Sequence, residues 1–310
     1  MAPLSRLRIG TRGSPLALVQ ANMVRDMLCN LHGLDKADIT ISVIKTTGDR
    51  VQDRKLSEVG GKGLFTKEIE VALAAKEIDL AVHSAKDMST ALPEGLVITA
   101  CPKREDARDA LICHKAKTFE TMVAGSKLGT ASLRREAQVR RLRGDLIVQP
   151  LRGNVETRLK KVRDGEIDAT ILGMAGLRRL GLTNEVTEIL STQIFLPAVG
   201  QGTVAIETRD DDGVTRHLLS ALNDAETFFA LSAERAFLSV LEGSCRTPIA
   251  GYAEVSGANI HFRGLVMRPD GSEAYEAAHD ATTANAEKLG IQVAQELKAK
   301  LSPDFFSALS

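Results

Sequence analysis

A strand, a glycine-rich turn and a capped helix follow one another at the start of this chain, and that succession constrains the fold more than any other feature. Leu7 and Ile9 open a strand that breaks at Gly10-Thr11-Arg12-Gly13-Ser14-Pro15. Ser14 suits an N-cap, and Pro15 suits the first helical position, where its fixed φ is already helical and its missing N–H is no loss. Leu16, Val19, Met23 and Met27 then recur at helical spacing. Such a turn offers free backbone N–H groups to an anion, with Arg12 beside it. From this stretch alone, a plain connection with a solvated Arg12 stays equally open.

The unit repeats. Ile39, Ile41 and Val43 alternate as a second strand, and Phe65, Ile69 and Leu73 are spaced as the buried stripe of a helix. Between them, Gly60-Gly61-Lys62-Gly63 lacks the spacing of a Walker loop, and Lys62 is not followed by Ser or Thr. Ile78, Leu80 and Val82 predict a third strand, which runs into His83, Ser84, Lys86 and Asp87. Ligands of open α/β sheets bind at this end of a strand. The plainer alternative is a solvated turn whose charges pair locally. With a strand over Leu96–Ala100, these residues predict one α/β lobe.

After the polar run Pro102–Asp106, a second series begins at Ala110–Ile112. Gly129-Thr130-Ala131-Ser132 echoes the first turn, Leu146–Val148 and Thr170–Leu172 read as strands, and Val155, Leu159 and Val162 as a helix. Leu196–Gly202 leads into Val204–Ile206, predicted to return to the first lobe, so that two crossovers make a hinge. A helix with Phe228, Leu231, Leu238 and Leu241 on its apolar face ends at Gly243. Ile249, Tyr252, Ile260, Phe262 and Leu265, a turn at Pro269-Asp270-Gly271 and a helix near Ala284–Leu301 make a small α+β domain. The expected domains are 1–102 with 202–222, 103–201 and 223–310.

Charge narrows the ligand. Forty basic and forty acidic residues leave the chain neutral, with no global pull toward nucleic acid or membrane. Yet Ser132–Arg163 holds ten Lys or Arg against three acids. Arg134, Arg135, Arg152 and Arg158 lie near strand-to-helix turns, and arginine favours bidentate binding of carboxylate or phosphate. No aromatic residue occurs between Phe119 and Phe195, so the stacking partners of single-stranded nucleic acid are missing there. A polyanionic small molecule, in a cleft between facing lobes, fits this distribution better than a basic face in solvent. Four cysteines form no Cys-x-x-Cys pair, so neither metal nor disulfide is expected. Cys245 differs from the others in sitting in a loop beside Arg246, which favours the thiolate, although most loop cysteines have no such role. The N-terminal residues contain no apolar signal segment, and no apolar run approaches the roughly 18 residues of a membrane span, so a cytoplasmic protein is expected.

Assembled, these motifs closely resemble the hydroxymethylbilane synthase (porphobilinogen deaminase) family, nearly end to end. The resemblance rests on Arg8–Ala17, Gly60–Phe65, His83-Ser84-Ala85-Lys86-Asp87, Gly129–Arg135, Arg152-Gly153-Asn154-Val155, Leu196–Gly202 and Gly243-Ser244-Cys245. It implies an α/β fold of two periplasmic-binding-protein-like lobes with a hinge, plus a small C-terminal α+β domain. It implies a transferase that deaminates and joins four porphobilinogens on a dipyrromethane, itself two pyrrole units held by a thioether to Cys245, and releases the linear tetrapyrrole. Pyrrole acetates and propionates make cofactor and product polyanions. The resemblance assigns cofactor binding to Lys86, Asp87, Ser132, Arg134, Arg135, Gly173 and Ser244, and substrate binding to Arg12, Ser14, Arg152, Arg158, Phe65 and Gln201. Asp87 is the expected catalytic carboxylate, stabilising the methylene-pyrrolenine cation left by ammonia, with Lys86 keeping it ionised. A monomer with no nucleic-acid or membrane partner is implied. Met88-Ser89 departs from the family, where many members have Pro after the Lys-Asp pair, and Glu58 stands at a loop site that is often basic. A non-catalytic binding protein of the same two lobes is the rival reading; it has no use for Cys245 or Asp87.

Overall fold

In a computed structural model, which describes residues 6–50, 63–242 and 247–306, the opening strand, turn and helix form where the residues predict them. β1 (Leu7–Thr11) is followed by α1 (Pro15–His32), whose Ser14 side chain accepts from the Ala17 N–H and whose end is closed by Gly33 at φ +65°. β2 (Ile39–Val43), the single turn α2 (Thr47–Arg50), α3 (Lys67–Ala74), β3 (Leu80–Ser84) and β4 (Leu96–Ala100) complete the first run. Phe65 lies just before α3, not on its buried stripe as expected, because Thr66 takes the N-cap position.

The second run is β5 (Asp109–Cys113), β6 (Lys127–Gly129), α4 (Leu133–Leu142), β7 (Ile147–Gln149), α5 (Val155–Arg163), β8 (Ala169–Gly173), α6 (Met174–Arg179) and β9 (Glu188–Ile189). β10 (Val204–Arg209) then returns to the first sheet, as its position after Gly202 predicts, and α7 (Gly213–Ser220) follows. The chain ends in α8 (Ala225–Val240), β11 (Ile249–Ser256), β12 (Asn259–Met267), β13 (Ala274–Thr282) and α9 (Ala286–Lys298). Two compact units result, Met1–Arg104 with Thr203–Phe228, and Glu105–Gly202 with Phe229–Ser310.

The first unit holds a five-stranded sheet in the order β2-β1-β3-β10-β4, and the second holds one in the order β7-β6-β8-β5-β9. Four strands of each run in one direction, and the remaining one, β10 or β5, runs antiparallel to both its neighbours. All residues of β10 and β5 are buried, as strands covered on both faces must be. Helix α1 covers one face of the first sheet through Ala21, Val24 and Leu28, and α3 covers the other through Ile69 and Leu73. Gly10 permits the tight fit of β1, since a Cβ there would lie 2.2 Å from Ile78 Cδ1.

The C-terminal sheet is an antiparallel meander β11-β12-β13 packed on α8 and α9. Phe237 and Phe262 meet edge to face at 5.1 Å in its core. The two helices cross so closely that a Cβ on Gly290 would lie 2.0 Å from the Ala233 carbonyl oxygen. Of the expected apolar face, Leu231 is buried in α8 and Leu241 just beyond its end, Phe228 and Leu238 are half-buried, and Ala230, Ala233 and Phe237 are buried beside them. An acidic residue joins the buried face. Glu234 is buried on that face and accepts from the Gly200 N–H at 2.6 Å and the Ala253 N–H at 2.9 Å. Leu265 faces outward, because Ile260, Phe262, Gly264 and Val266 share the inner parity of β12.

Candidate active site

In the first unit, the carboxyl ends of β1 and β3 bring Arg12 and Asp87 together. After Ser84, one 3-10 turn over Ala85–Asp87 is fixed by the Ala85 N–H donating to the Thr203 carbonyl at 3.0 Å. It sets the Asp87 carboxylate 3.7 Å from Arg12 Nη1, with the Asp87 side chain 30% exposed. Arg12 also donates to Asp49 through Nη2 at 2.5 Å and Nε at 3.2 Å, and its guanidinium lies 4.2 Å from the centre of the Phe65 ring. Burial pushes the Asp49 carboxyl up, but hydrogen bonds from Arg12 and Thr46 outweigh it and hold the group below its ordinary range. Arg12, Ser14, Gln20, Phe65, Ser84 and Asp87 line a shallow cleft there. Lys86 is exposed on the same turn. Below it, His83 Nε2 and Glu207 Oε2 are 3.0 Å apart, both side chains buried.

In the second unit, the corresponding edge is arginine-rich. Ser132 caps α4 by accepting from the Arg135 N–H, so Arg134 and Arg135 stand in the first turn of the helix. Both are buried on Asp109, itself 0% exposed. Arg134 Nη2 and Arg135 Nη2 each reach it at 2.7 Å. Burial alone drives the Asp109 carboxyl upward; the two guanidinium charges overcome this and hold it far below its usual range. Burial lowers the pKa of Arg134, from a value so high that it remains charged. Gln201 donates to Asp109 at 3.0 Å and to the Ala107 carbonyl at 2.7 Å, so its amide holds the carboxylate from the side. Gly173 ends β8 beside it; a Cβ there would meet Gln201 at 3.5 Å, an ordinary contact.

Arg152 is half-buried and forms no ion pair among the described residues. Arg158 donates through Nε to the Gly153 carbonyl at 2.9 Å. Cys245 and Ser244, with Gly60–Lys62 and Glu58, lie outside the described residues. Sequence reasoning missed Asp49, Asp109, Glu207 and Arg179. Arg179 Nη2 donates to the Gly202 carbonyl at 2.8 Å, and burial lowers its pKa although Glu105 opposes this. A signal for Asp109 existed: Arg108-Asp109 abuts the apolar run Ala110-Leu111-Ile112 directly, an awkward place for a charge unless something pairs it.

These residues fit a polyanionic group. The Asp109 cluster sets two guanidiniums against one carboxylate, and Arg134 Nε is buried without a hydrogen-bond partner among the described residues. Among the described residues, no helix is long and apolar enough to cross a membrane.

Comparison with known proteins agrees with this chemistry. A family model described as porphobilinogen deaminase, dipyromethane cofactor binding domain, matches residues 7–217, and that of the porphobilinogen deaminase C-terminal domain matches residues 228–299. The porphobilinogen deaminases of Nitrobacter hamburgensis and Nitrobacter winogradskyi are each 54% identical over 299 residues, covering 96% of this chain and 95% of theirs. Among solved structures, the periplasmic aliphatic sulphonate binding protein SsuA from Escherichia coli aligns at 16% identity and a TM-score of 0.41, over 77% of this chain and 71% of that one. With both family models matched in order along it, and relatives of this identity over nearly its whole length, the chain belongs to the porphobilinogen deaminase family.

Proposed function

We infer that this chain carries out the reaction of its family, joining four porphobilinogens head to tail with loss of one ammonia each and releasing linear hydroxymethylbilane for tetrapyrrole (haem) synthesis. The match of the cofactor-binding and C-terminal family models, in order, carries this reading. When bound, the dipyrromethane supplies the pyrrole carbon to which the first substrate is joined. Every other contribution comes from the chain itself.

Asp87 is the catalytic carboxylate. Loss of ammonia from the aminomethyl group of porphobilinogen leaves a cation, and a fixed negative charge stabilises it as it develops. The short turn after β3 and the neighbouring Arg12, which is held by Asp49 and Phe65, support this role by limiting where the carboxylate can point. Lys86 stands next to it in the chain. Ser14 and Phe65 complete the substrate-binding set of the first unit. In the second unit Arg134, Arg135, Arg152 and Arg158 bind the acetate and propionate groups, with Ser132, Gly173 and Gln201 beside them. Charge-assisted hydrogen bonds of this kind contribute about 1.5–3 kcal/mol each. Cys245, with Ser244 preceding it, holds the cofactor by a thioether. Separate cores in the second unit support reading it as two domains, 103–201 and 223–310, beside a first domain of 1–102 with 202–222. A monomer acting in the cytoplasm completes the reading.

The test is the intact mass of the purified, denatured protein beside that of Cys245→Ser, both made in cells that supply porphobilinogen. Two linked pyrrole units of extra mass in the parent, absent from the variant, are expected. An unmodified parent would remove the covalent-cofactor reading and leave a binding protein.

A further inference from the structure

Asp109 occupies the first position of β5 and pairs in register with Gly173, the last residue of β8. The same place in the first sheet, the start of β10 opposite the end of β3, is Val204 opposite Ser84. A strand of this topology therefore has no need of a charge there, and Val204 is buried without one. Asp109 is nevertheless fully buried and accepts four hydrogen bonds: from Arg134 Nη2 at 2.7 Å, Arg135 Nε at 3.1 Å, Arg135 Nη2 at 2.7 Å and Gln201 Nε2 at 3.0 Å.

The arrangement is not electrically complete. One carboxylate faces two guanidiniums, so a full positive charge is left over where water is excluded. Buried charge of that kind is costly unless something pairs with it. Arg134 cannot turn away to reach solvent, because its Nη1 donates to the Leu196 carbonyl at 2.7 Å and Gln138 brackets the same peptide through the Leu196 N–H and carbonyl. Its Nε meanwhile has no hydrogen-bond partner, and Arg135 Nη1 makes no hydrogen bond among the described residues. Two guanidiniums are thus locked in fixed orientation with N–H groups to spare and a surplus of one charge. An incoming carboxylate that meets Arg135 Nη1 answers the surplus charge.

We propose that Asp109 is a positioning residue for carboxylate binding: it holds Arg134 and Arg135 side by side, against their mutual repulsion, in the orientation that receives a pyrrole side-chain carboxylate. This rests on the reading that these arginines bind the substrate's and cofactor's acidic groups. Asp109 touches neither substrate nor cofactor; it acts through the arginines. Without its charge the two cations repel each other in a poorly screened setting, and the orientation is lost.

Asp109→Asn, which keeps shape and one acceptor oxygen, tests this beside Arg135→Ala. For both, intact mass gives the fraction carrying the cofactor and KM is measured on that fraction, after thermal unfolding has established that each is folded. Because Arg134 and Arg135 are read as holding the cofactor's carboxylates as well as the growing chain's, the expected result for Asp109→Asn is a cofactor-carrying fraction reduced about tenfold or more, or in the loaded fraction a KM for porphobilinogen raised by as much, with kcat reduced less than threefold. A role confined to stability would lower the melting temperature and leave both readouts alone. Both readouts unchanged in Asp109→Asn, with either one impaired in Arg135→Ala, overturns the proposal and leaves the arginine reading standing. Both unchanged in the two variants overturns the arginine reading and the proposal with it. Should the Asn variant not fold, Asp109→Glu keeps the charge but displaces it by one methylene: an impaired readout supports the proposal, and two unchanged ones overturn it.

Discussion

The two five-stranded sheets share one strand order and one antiparallel strand, yet place their carboxylates oppositely. The first sheet puts Asp87 on a turn beyond β3, part-exposed, with an arginine at its side. The second puts Asp109 inside the sheet, fully buried, behind two arginines. An exposed carboxylate near one cation can meet a developing positive charge. A buried carboxylate behind two cations presents a net positive face. On the proposed reading, the same scaffold serves a cationic reaction centre in one case and an anionic ligand in the other, through the choice of residue at a few strand ends.

The sharpest way to break the comparison is to remove the buried carboxylate. Asp109→Ala leaves two guanidiniums without a countercharge, and breaking a buried pair from one side costs about 3–5 kcal/mol. Equilibrium urea unfolding should show that loss. A change below about 1 kcal/mol would mean that water or another group already compensates the arginines, and the contrast between the sheets would vanish. Next in size is Asp87→Asn. By analogy with the loss of one fixed group that stabilises transition-state charge, it should lower kcat roughly 10²- to 10³-fold. Its unfolding midpoint should not move, since the side chain is part-exposed. Turnover at the parent rate would end the catalytic assignment of Asp87.

Much of this contrast could be read from the residues, because both lobes are written in local signals. Ser14-Pro15 before a helical stripe, Ser132 before α4, and the apolar alternation of Ile39–Val43 or Leu96–Ala100 each state their element within a few positions. The arginine surplus of Ser132–Arg163 is likewise local, and so is the return of the chain at Val204, announced by the glycines before it. What the residues did not disclose is long-range. Asp109 meets Arg134 and Arg135 across 25 and 26 positions, and Gln201 across 92. His83 meets Glu207 across 124. No periodicity encodes such pairings; the sheet order creates them. The antiparallel sense of β5 and β10 belongs with these, since an apolar run has no direction. The burial of Glu234 on α8 has the same origin, for it turns inward where backbone groups of Gly200 and Ala253 await it.

The smallest effect tests whether the first sheet has any buried electrostatics of its own. Asp49, like Asp109, is held below the ordinary carboxylate range, but its side chain is 27% exposed and so is that of its partner Arg12, at 21%. For a carboxylate whose folded pKa is depressed, the stabilisation is complete above the unfolded value near 3.9 and is lost as pH falls through the folded one. Both aspartates therefore stabilise the protein at neutral pH and lose that contribution in acid, below about pH 4. They should differ in size. A fully exposed pair contributes about 0.2–1 kcal/mol, and this part-exposed one should stay near the top of that range, so Asp49→Ala should shift the neutral-pH urea midpoint slightly and flatten the acid limb by about that amount. Asp109→Ala should remove a much larger part of the same limb. If Asp49→Ala proved as costly as Asp109→Ala, the Arg12 cluster would have to be counted as a buried network, and the difference between the sheets would lie only in which residues face the substrate.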